Sequence, residues 1–173
     1  TVDAVRRRDL AGRRVAVSAG GTREPLDPVR FLGNDSSGRQ GIALARAAAL
    51  RGASVTLVAA HVEAPLPSGV DVMRVGSTAE LAEAMGALAS ECDAIVMAAA
   101  PADFTPAEAS GTKIKKDGSG GLQLDLVQTI DVLKTLSHQR SRPQVIVGFD
   151  HPEYSHMAVM PDAIRAALAA DFA

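Results

Sequence analysis

A three-layer, Rossmann-like α/β domain, with a mostly parallel sheet and helices on both faces, is predicted by two patterns in this chain. Short apolar runs alternate with longer alanine-rich stretches, the order that a parallel sheet with crossover helices requires. The first apolar run ends in Gly20-Gly21 and leads into a polar connection of seventeen residues, Ala19 to Asp35. Loops of that length inside compact domains are usually functional or disordered. With 173 residues, 47% of them hydrophobic and 22% charged, the chain can bury one substantial core. Residues 9–173 therefore read as a single domain, and residues 1–8, with Arg6-Arg7-Arg8, as a solvated arm or interdomain linker.

The elements follow in order. Val15–Ser18 is the first strand, and the apolar, alanine-rich Gly38–Arg51 stretch is the first helix. Gly38 and Gly41 fall in its first turn, where backbone N–H groups are unpaired and the helix dipole favours an anion. Ser36 or Ser37 is placed to cap that helix or to touch the anion. An ordinary N-cap with turn glycines has the same local pattern, so phosphate binding rests on the length of the connection. Strands are expected at Ser54–Ala59 and Asp71–Val75, then a helix over Thr78–Ser90 with Ser77 or Thr78 as cap and Glu80 near it. A buried strand, Ala94–Ala98, ends in small residues at the carboxyl edge, where open α/β sheets bind ligands. After it, Asp103 is suited to accept hydrogen bonds from ribose hydroxyls or a base, with Phe104 beneath it, or else to cap a turn before Pro106. Leu122–Val127 and Gln144–Phe149 complete the strands, and Ile130–Gln139 and Pro161–Ala170 the helices.

Lysine usage is skewed. Against fourteen arginines there are four lysines, and Lys113, Lys115 and Lys116 lie within four residues of one another. A compact ammonium can follow a polyphosphate through a reaction, whereas guanidinium prefers a fixed bidentate partner. Gly111 before the cluster and Gly118, Gly120 and Gly121 after it suggest a mobile flap over residues 113–121, the alternative being a solvated basic hairpin. Cys92, the single cysteine, excludes an intramolecular disulfide framework, suits a reducing cytoplasm and reads as packing beside a strand. His151, Glu153 and His156 match no standard zinc spacing, so no metal site is assigned to side chains. A net charge of −2 offers no attraction to nucleic acid or to an anionic membrane. No apolar window is long enough to span a bilayer, and the N-terminus carries no signal-type apolar segment.

Several of these stretches together carry a family likeness. Gly20-Gly-Thr-Arg-Glu-Pro-Leu-Asp-Pro-Val-Arg-Phe31, Gly33-Asn-Asp-Ser-Ser-Gly38, Ala98-Ala-Ala-Pro-Ala-Asp-Phe104 and Lys113-Ile-Lys-Lys116 follow one another in the chain. The sequence from about Asp9 to Phe149 resembles phosphopantothenoylcysteine synthetase, the second domain of the bifunctional coenzyme A biosynthesis flavoprotein. The resemblance implies a CTP-dependent acid–amine ligase working through an acyl-cytidylate, with ATP as the alternative nucleotide and Mg2+ accompanying it. It also implies a homodimer and a flavoprotein decarboxylase as a further partner. On the matching positions, Lys113 would offset charge on the transferring phosphate and Asn34 would serve the second, amide-forming step. Ser36, Gly38, Gly41, Asp103, Asp131 and Phe149 would bind the nucleotide, and Arg30, Ala99 and Ala100 the acid substrate.

Departures begin at residue 129. Thr129-Ile-Asp-Val132 keeps only the aspartate of the family's Asn-Pro-Asp-Ile, Asp150-His-Pro-Glu153 replaces Ala-Ala-Glu-Thr, and no lysine follows Lys134. Pro101 replaces the usual valine, removing a backbone donor and restricting Ala100. A remodelled, truncated or decayed tail all fit. A noncatalytic nucleotide-binding or scaffold protein is thus the second expectation, and a dinucleotide oxidoreductase, lacking Gly-x-Gly-x-x-Gly, a distant third.

Overall fold

Residues 8–116 and 120–149 are described by a computed structural model. The expected arm, the Pro161–Ala170 helix and the His151, Glu153, His156 group lie outside them. In chain order the elements are β1 (Arg14–Gly20), β2 (Arg23–Asp27), β3 (Arg30–Gly33), α1 (Arg39–Leu50), β4 (Ser54–Ala60) and β5 (Asp71–Val75), then α2 (Thr78–Ala89), β6 (Ala94–Met97), β7 (Phe104–Pro106), β8 (Leu126–Gln128), α3 (Val132–His138) and β9 (Val145–Gly148).

The apolar runs pair in parallel in the order β5-β4-β1-β6-β9. Successive residues of a strand face opposite sides, so each run feeds two cores. Val15, Val17, Leu57 and Val147 pack with Ile42 and Ala45 of α1 on one face. Ala16, Val58, Ile95 and Met97 pack with Leu81 and Met85 of α2 and Val132 and Leu136 of α3 on the other. Full burial of one such aliphatic side chain stabilises by about 1.5–3 kcal/mol, which holds the three layers together. Cys92 is buried in the second cluster, and burial pushes its thiol pKa up, as packing rather than reactivity requires. Helix α2 starts as its sequence predicts: the Ser77 hydroxyl accepts from Glu80 N at 3.2 Å while the Glu80 carboxylate accepts from Gly76 N at 2.6 Å.

Two expectations are corrected. The connection between β1 and α1 is not one long loop, because β2 and β3 form an antiparallel hairpin within it. Leu122–Val127 is not a strand of the main sheet; only Leu126–Gln128 is extended, and it pairs antiparallel with β7 in a separate two-stranded ribbon. The ribbon's apolar side chains Phe104, Leu126 and Val127 are exposed, so burial gives this segment no central position.

Candidate functional site

Strand order reverses between β1 and β6, and in such sheets ligands bind outside the carboxyl ends of the strands at that switch point. There the two exit segments are sewn together. Ala100 N donates to Gly20 O at 2.8 Å, Gly21 bridges Ala100, and Thr22 N donates to Ala100 O at 3.3 Å. The buried Ser18 hydroxyl accepts from Ala98 N and Ala99 N, each at 3.1 Å. Ala102 N donates to the Thr22 hydroxyl at 2.8 Å, the Thr22 and Thr78 hydroxyls are 2.9 Å apart, and Thr78 donates to Ala102 O at 3.3 Å. Three buried hydroxyls thus fix the backbone of Ala98–Ala102 without a charged group. Thr22→Val should leave Ala102 N–H buried without an acceptor, at about 1–3 kcal/mol. Each kcal/mol lowers the melting temperature by roughly 2–4 °C in a chain of this size, and a thermal melt followed by circular dichroism reads it.

Pro101 removes no donor that the loop needs, since its neighbours Ala100 and Ala102 supply the bonds to β1 and Thr22. Its carbonyl accepts from the Asn34 side-chain amide at 2.7 Å, which brings Asn34 onto the Ala98–Ala102 loop. Asp103 is exposed, and its carbonyl accepts from Thr129 N at 2.9 Å, while the Thr129 hydroxyl donates to Ala102 O at 2.6 Å. Phe104 opens β7 and is 47% exposed.

The start of α1 also differs from expectation. Neither Ser36 nor Ser37 caps it: the N-cap is Gly38 at φ 73, with no side-chain cap bond. A side chain on Gly38 would press on Val62 and approach Gly20 N at 3.1 Å, so the helix starts directly against the end of β1. Gly41 is a packing residue, because a Cβ there would lie 2.5 Å from Ser18 O and 2.6 Å from the Ala19 Cβ. Asp131 caps α3, its carboxylate accepting from Lys134 N at 2.9 Å. Phe149 follows β9, with its N–H on Met97 O at 3.3 Å.

Arg30 is not a free anion binder. Its guanidinium pairs with Asp27 and donates to Ile114 O at 2.7 Å, and Ile114 N donates to the same Asp27 carboxylate at 3.0 Å. The Arg30 hydrogen bond holds the Asp27 carboxyl far below the usual carboxylate range against the opposing effect of burial, helped by the N–H groups of Val29, Ile114 and Arg30. A depressed folded-state value means that this contribution to stability is complete above the unfolded value near about 3.9 and is lost as pH falls towards the folded one. Lys113, Lys115 and Lys116 are exposed on either side of the half-buried Ile114. Beyond the hairpin lies a cleft of about 590 Å³ lined by Arg23, Phe31, His61 and Glu80 among others, with Arg23 stacked 4.3 Å from the Phe31 ring. Burial, then the nearby Arg23, lowers the His61 pKa.

The structure therefore gathers Asn34, Ser36, Gly38, Gly41, Ala99 and Ala100 around the end of β1, ties Asp103 to the segment before Asp131 through Thr129, and hangs the lysines on the hairpin. Sequence reasoning missed Ser18, Thr22, Thr78 and Asp27. Their one signal is a small polar residue or carboxylate beside an apolar run, which any turn also carries. A helix start that opens on a glycine against the end of β1 leaves backbone N–H groups of the kind that suit an anion, and the Asn34 amide lies on the Ala98–Ala102 loop beside it.

Residues 10–162 match the family described as DNA/pantothenate metabolism flavoprotein C-terminal domain. The chain is 50% identical over 147 residues to the coenzyme A biosynthesis bifunctional protein CoaBC of Mycobacterium bovis, covering 82% of this chain and 35% of that one. It is 49% identical over 141 residues to a cysteine/cysteine sulfinic acid decarboxylase of an unknown prokaryotic organism, covering 81% of this chain and 39% of that one. The crystal structure of the C-terminal domain of CoaBC aligns with a TM-score of 0.74 at 30% identity, over 96% of this chain and 76% of that one. The chain thus spans 35% and 39% of the length of these two curated relatives. On a match over most of its length, and on a Rossmann-like sheet shared with a solved member, the chain belongs to the DNA/pantothenate metabolism flavoprotein C-terminal domain family.

Proposed function

We propose that the chain is a phosphopantothenate–cysteine ligase that draws on CTP, joining 4′-phosphopantothenate to the amine of cysteine. The observation that carries this is the meeting of Asn34, the glycine-lined start of α1 and the Ala98–Ala102 loop at the switch point; exposed lysines held on the β2–β3 hairpin add to it. Half identity to a coenzyme A biosynthesis protein supports it. Exposed ammonium groups and a glycine-lined helix start each suit polyphosphate chemistry, which the decarboxylase name of the other relative does not call on.

In the first step a carboxylate oxygen of the acid attacks the α-phosphorus of CTP, and the bond to the β-phosphate oxygen breaks to release pyrophosphate. Lys113 offsets the charge that develops on the transferring phosphate. In the second, the cysteine amine attacks the acyl carbon and loses a proton, and the C–O bond to CMP breaks. Asn34 can orient the amine or polarise the acyl carbonyl, because its amide both donates and accepts. Ala99 and Ala100 let the acyl group approach the backbone. In this reading Mg2+ accompanies the nucleotide phosphates. A homodimer, a flavoprotein decarboxylase partner and a cytoplasmic setting belong to the same proposal. Among the described residues no helix is long and apolar enough to cross a membrane.

Isothermal titration with CTP and then ATP, in magnesium, followed by a pyrophosphate assay with 4′-phosphopantothenate, tests it. Micromolar binding of CTP and pyrophosphate release that needs the acid are expected. Nucleotide binding with no release for any acid would instead make the chain a noncatalytic nucleotide-binding partner. Binding of neither nucleotide would remove both assignments.

A further inference from the structure

We infer that Asp27 is a positioning residue for the nucleotide phosphates, acting through the main chain of Ile114 to hold Lys113 and Lys115 on the hairpin. This deepens the ligase proposal and rests on it. The Asp27 side chain is buried at the turn between β2 and β3. One carboxylate oxygen accepts from Val29 N and Arg30 N, each at 2.9 Å, which closes the turn. The other accepts from Arg30 Nε and from Ile114 N, each at 3.0 Å. Arg30 returns a bond to Ile114 O at 2.7 Å, so both peptide groups that Ile114 offers are held by one ion pair.

Further contacts prepare that grip. Ser110 N donates to Leu26 O at 2.9 Å, and the Ser110 hydroxyl donates to Thr112 O at 2.7 Å. Residues 110–114 are thereby pinned at both ends to the end of β2, Ser110 at Leu26 and Ile114 at Asp27. Ile114 is half-buried, while Lys113 and Lys115 are exposed beside it. A lysine with four rotatable bonds is a poor locator of charge unless its Cα is fixed, and here the fixing is done by a residue 87 positions away in sequence. Aspartate suits the task because its ionised carboxylate accepts from five N–H donors at once, those of Val29 N, Arg30 N, Arg30 Nε, an Arg30 terminal nitrogen and Ile114 N, whereas asparagine would turn an NH2 donor towards at least one of them.

The test is a double-mutant cycle of Asp27→Asn and Lys113→Ala in the full chain, read by titration with CTP and magnesium and by hydrogen–deuterium exchange at Ile114 N–H. Asp27→Asn is expected to speed exchange at Ile114 at least tenfold and to weaken CTP at least tenfold, and to weaken it by a clearly smaller factor, that left to Lys115, once Lys113 is already alanine. Two results overturn the inference: an unchanged CTP affinity in Asp27→Asn, or the same fold-loss in the presence and absence of Lys113, which marks a general structural effect. Should the unaltered chain bind neither CTP nor ATP, the ligase proposal fails by itself. The hold on Ile114 is then decided by exchange, and unchanged protection in Asp27→Asn overturns it.

Discussion

Lys113→Ala should lower pyrophosphate release about 10²–10³-fold, the usual cost of deleting one preorganised electrostatic contact to a transition state. The side chain is exposed, so the melting temperature should stay within about 2 °C, a change expected of surface substitutions. Asn34→Asp should behave differently. Its amide donates to Pro101 O at 2.7 Å, and a carboxylate there has no donor and repels the carbonyl it faces. Pyrophosphate should still be released, since the lysine hairpin is untouched, while amide formation stalls. Rapid-quench sampling with labelled CTP separates the two, because a stalled second step leaves an acyl-cytidylate that builds up to the enzyme concentration. Equal loss of both steps in Asn34→Asp would take away the role given to that residue, and Lys113→Ala with full pyrophosphate release would take away the lysine's.

The strands of the main sheet were legible because a buried parallel strand must be a continuous apolar run, as in Val15–Ser18 and Ala94–Met97. Helix α2 was legible from Ser77 and Glu80, a pattern with a local cause. The hairpin was not. Arg23–Asp27 carries Pro25 and Glu24 and shows no clean alternation, and it exists because Asp27 closes its turn and because Ile114 and Ser110 bind it from far along the chain. Helix α1 hid its cap for a related reason: Gly38 replaces a side-chain cap with a left-handed backbone, so the serines beside it mislead. Asp131 was assigned to the nucleotide by resemblance, although a residue of its type just before an apolar run is a cap signal in its own right. The lysine cluster stood out from usage alone, but the hydrogen bonds that tie Ile114 to the Asp27–Arg30 pair join residues no local pattern connects.

Three glycine-to-alanine substitutions should divide strain, collision and helix propensity at the site. Gly12 has φ 78, and a Cβ there would meet nothing within 4 Å, so Gly12→Ala should cost only the left-handed backbone, about 1 kcal/mol. Gly20 has φ 88, and a Cβ there would run into the carbonyl of Ala60, main chain of a central strand that cannot retreat without breaking its ladder. Gly20→Ala should therefore lose the same strain and a further 1–3 kcal/mol or more, roughly, for the collision. Set against a total stability of about 5–15 kcal/mol, that is a large share, and a thermal melt should show Gly20→Ala falling well below Gly12→Ala. Gly41→Ala is the informative case, because alanine in a helix is favoured over glycine by about 0.8–1 kcal/mol. Its Cβ would meet Ser18 O at 2.5 Å, so the helix must move off β1 and carry the Gly38 turn with it. If collision wins, the melting temperature falls and CTP binding weakens together. A stabilised Gly41→Ala with unchanged CTP affinity would show that the close seat of α1 on β1 is dispensable, and with it the proposed part of the helix start in holding phosphate.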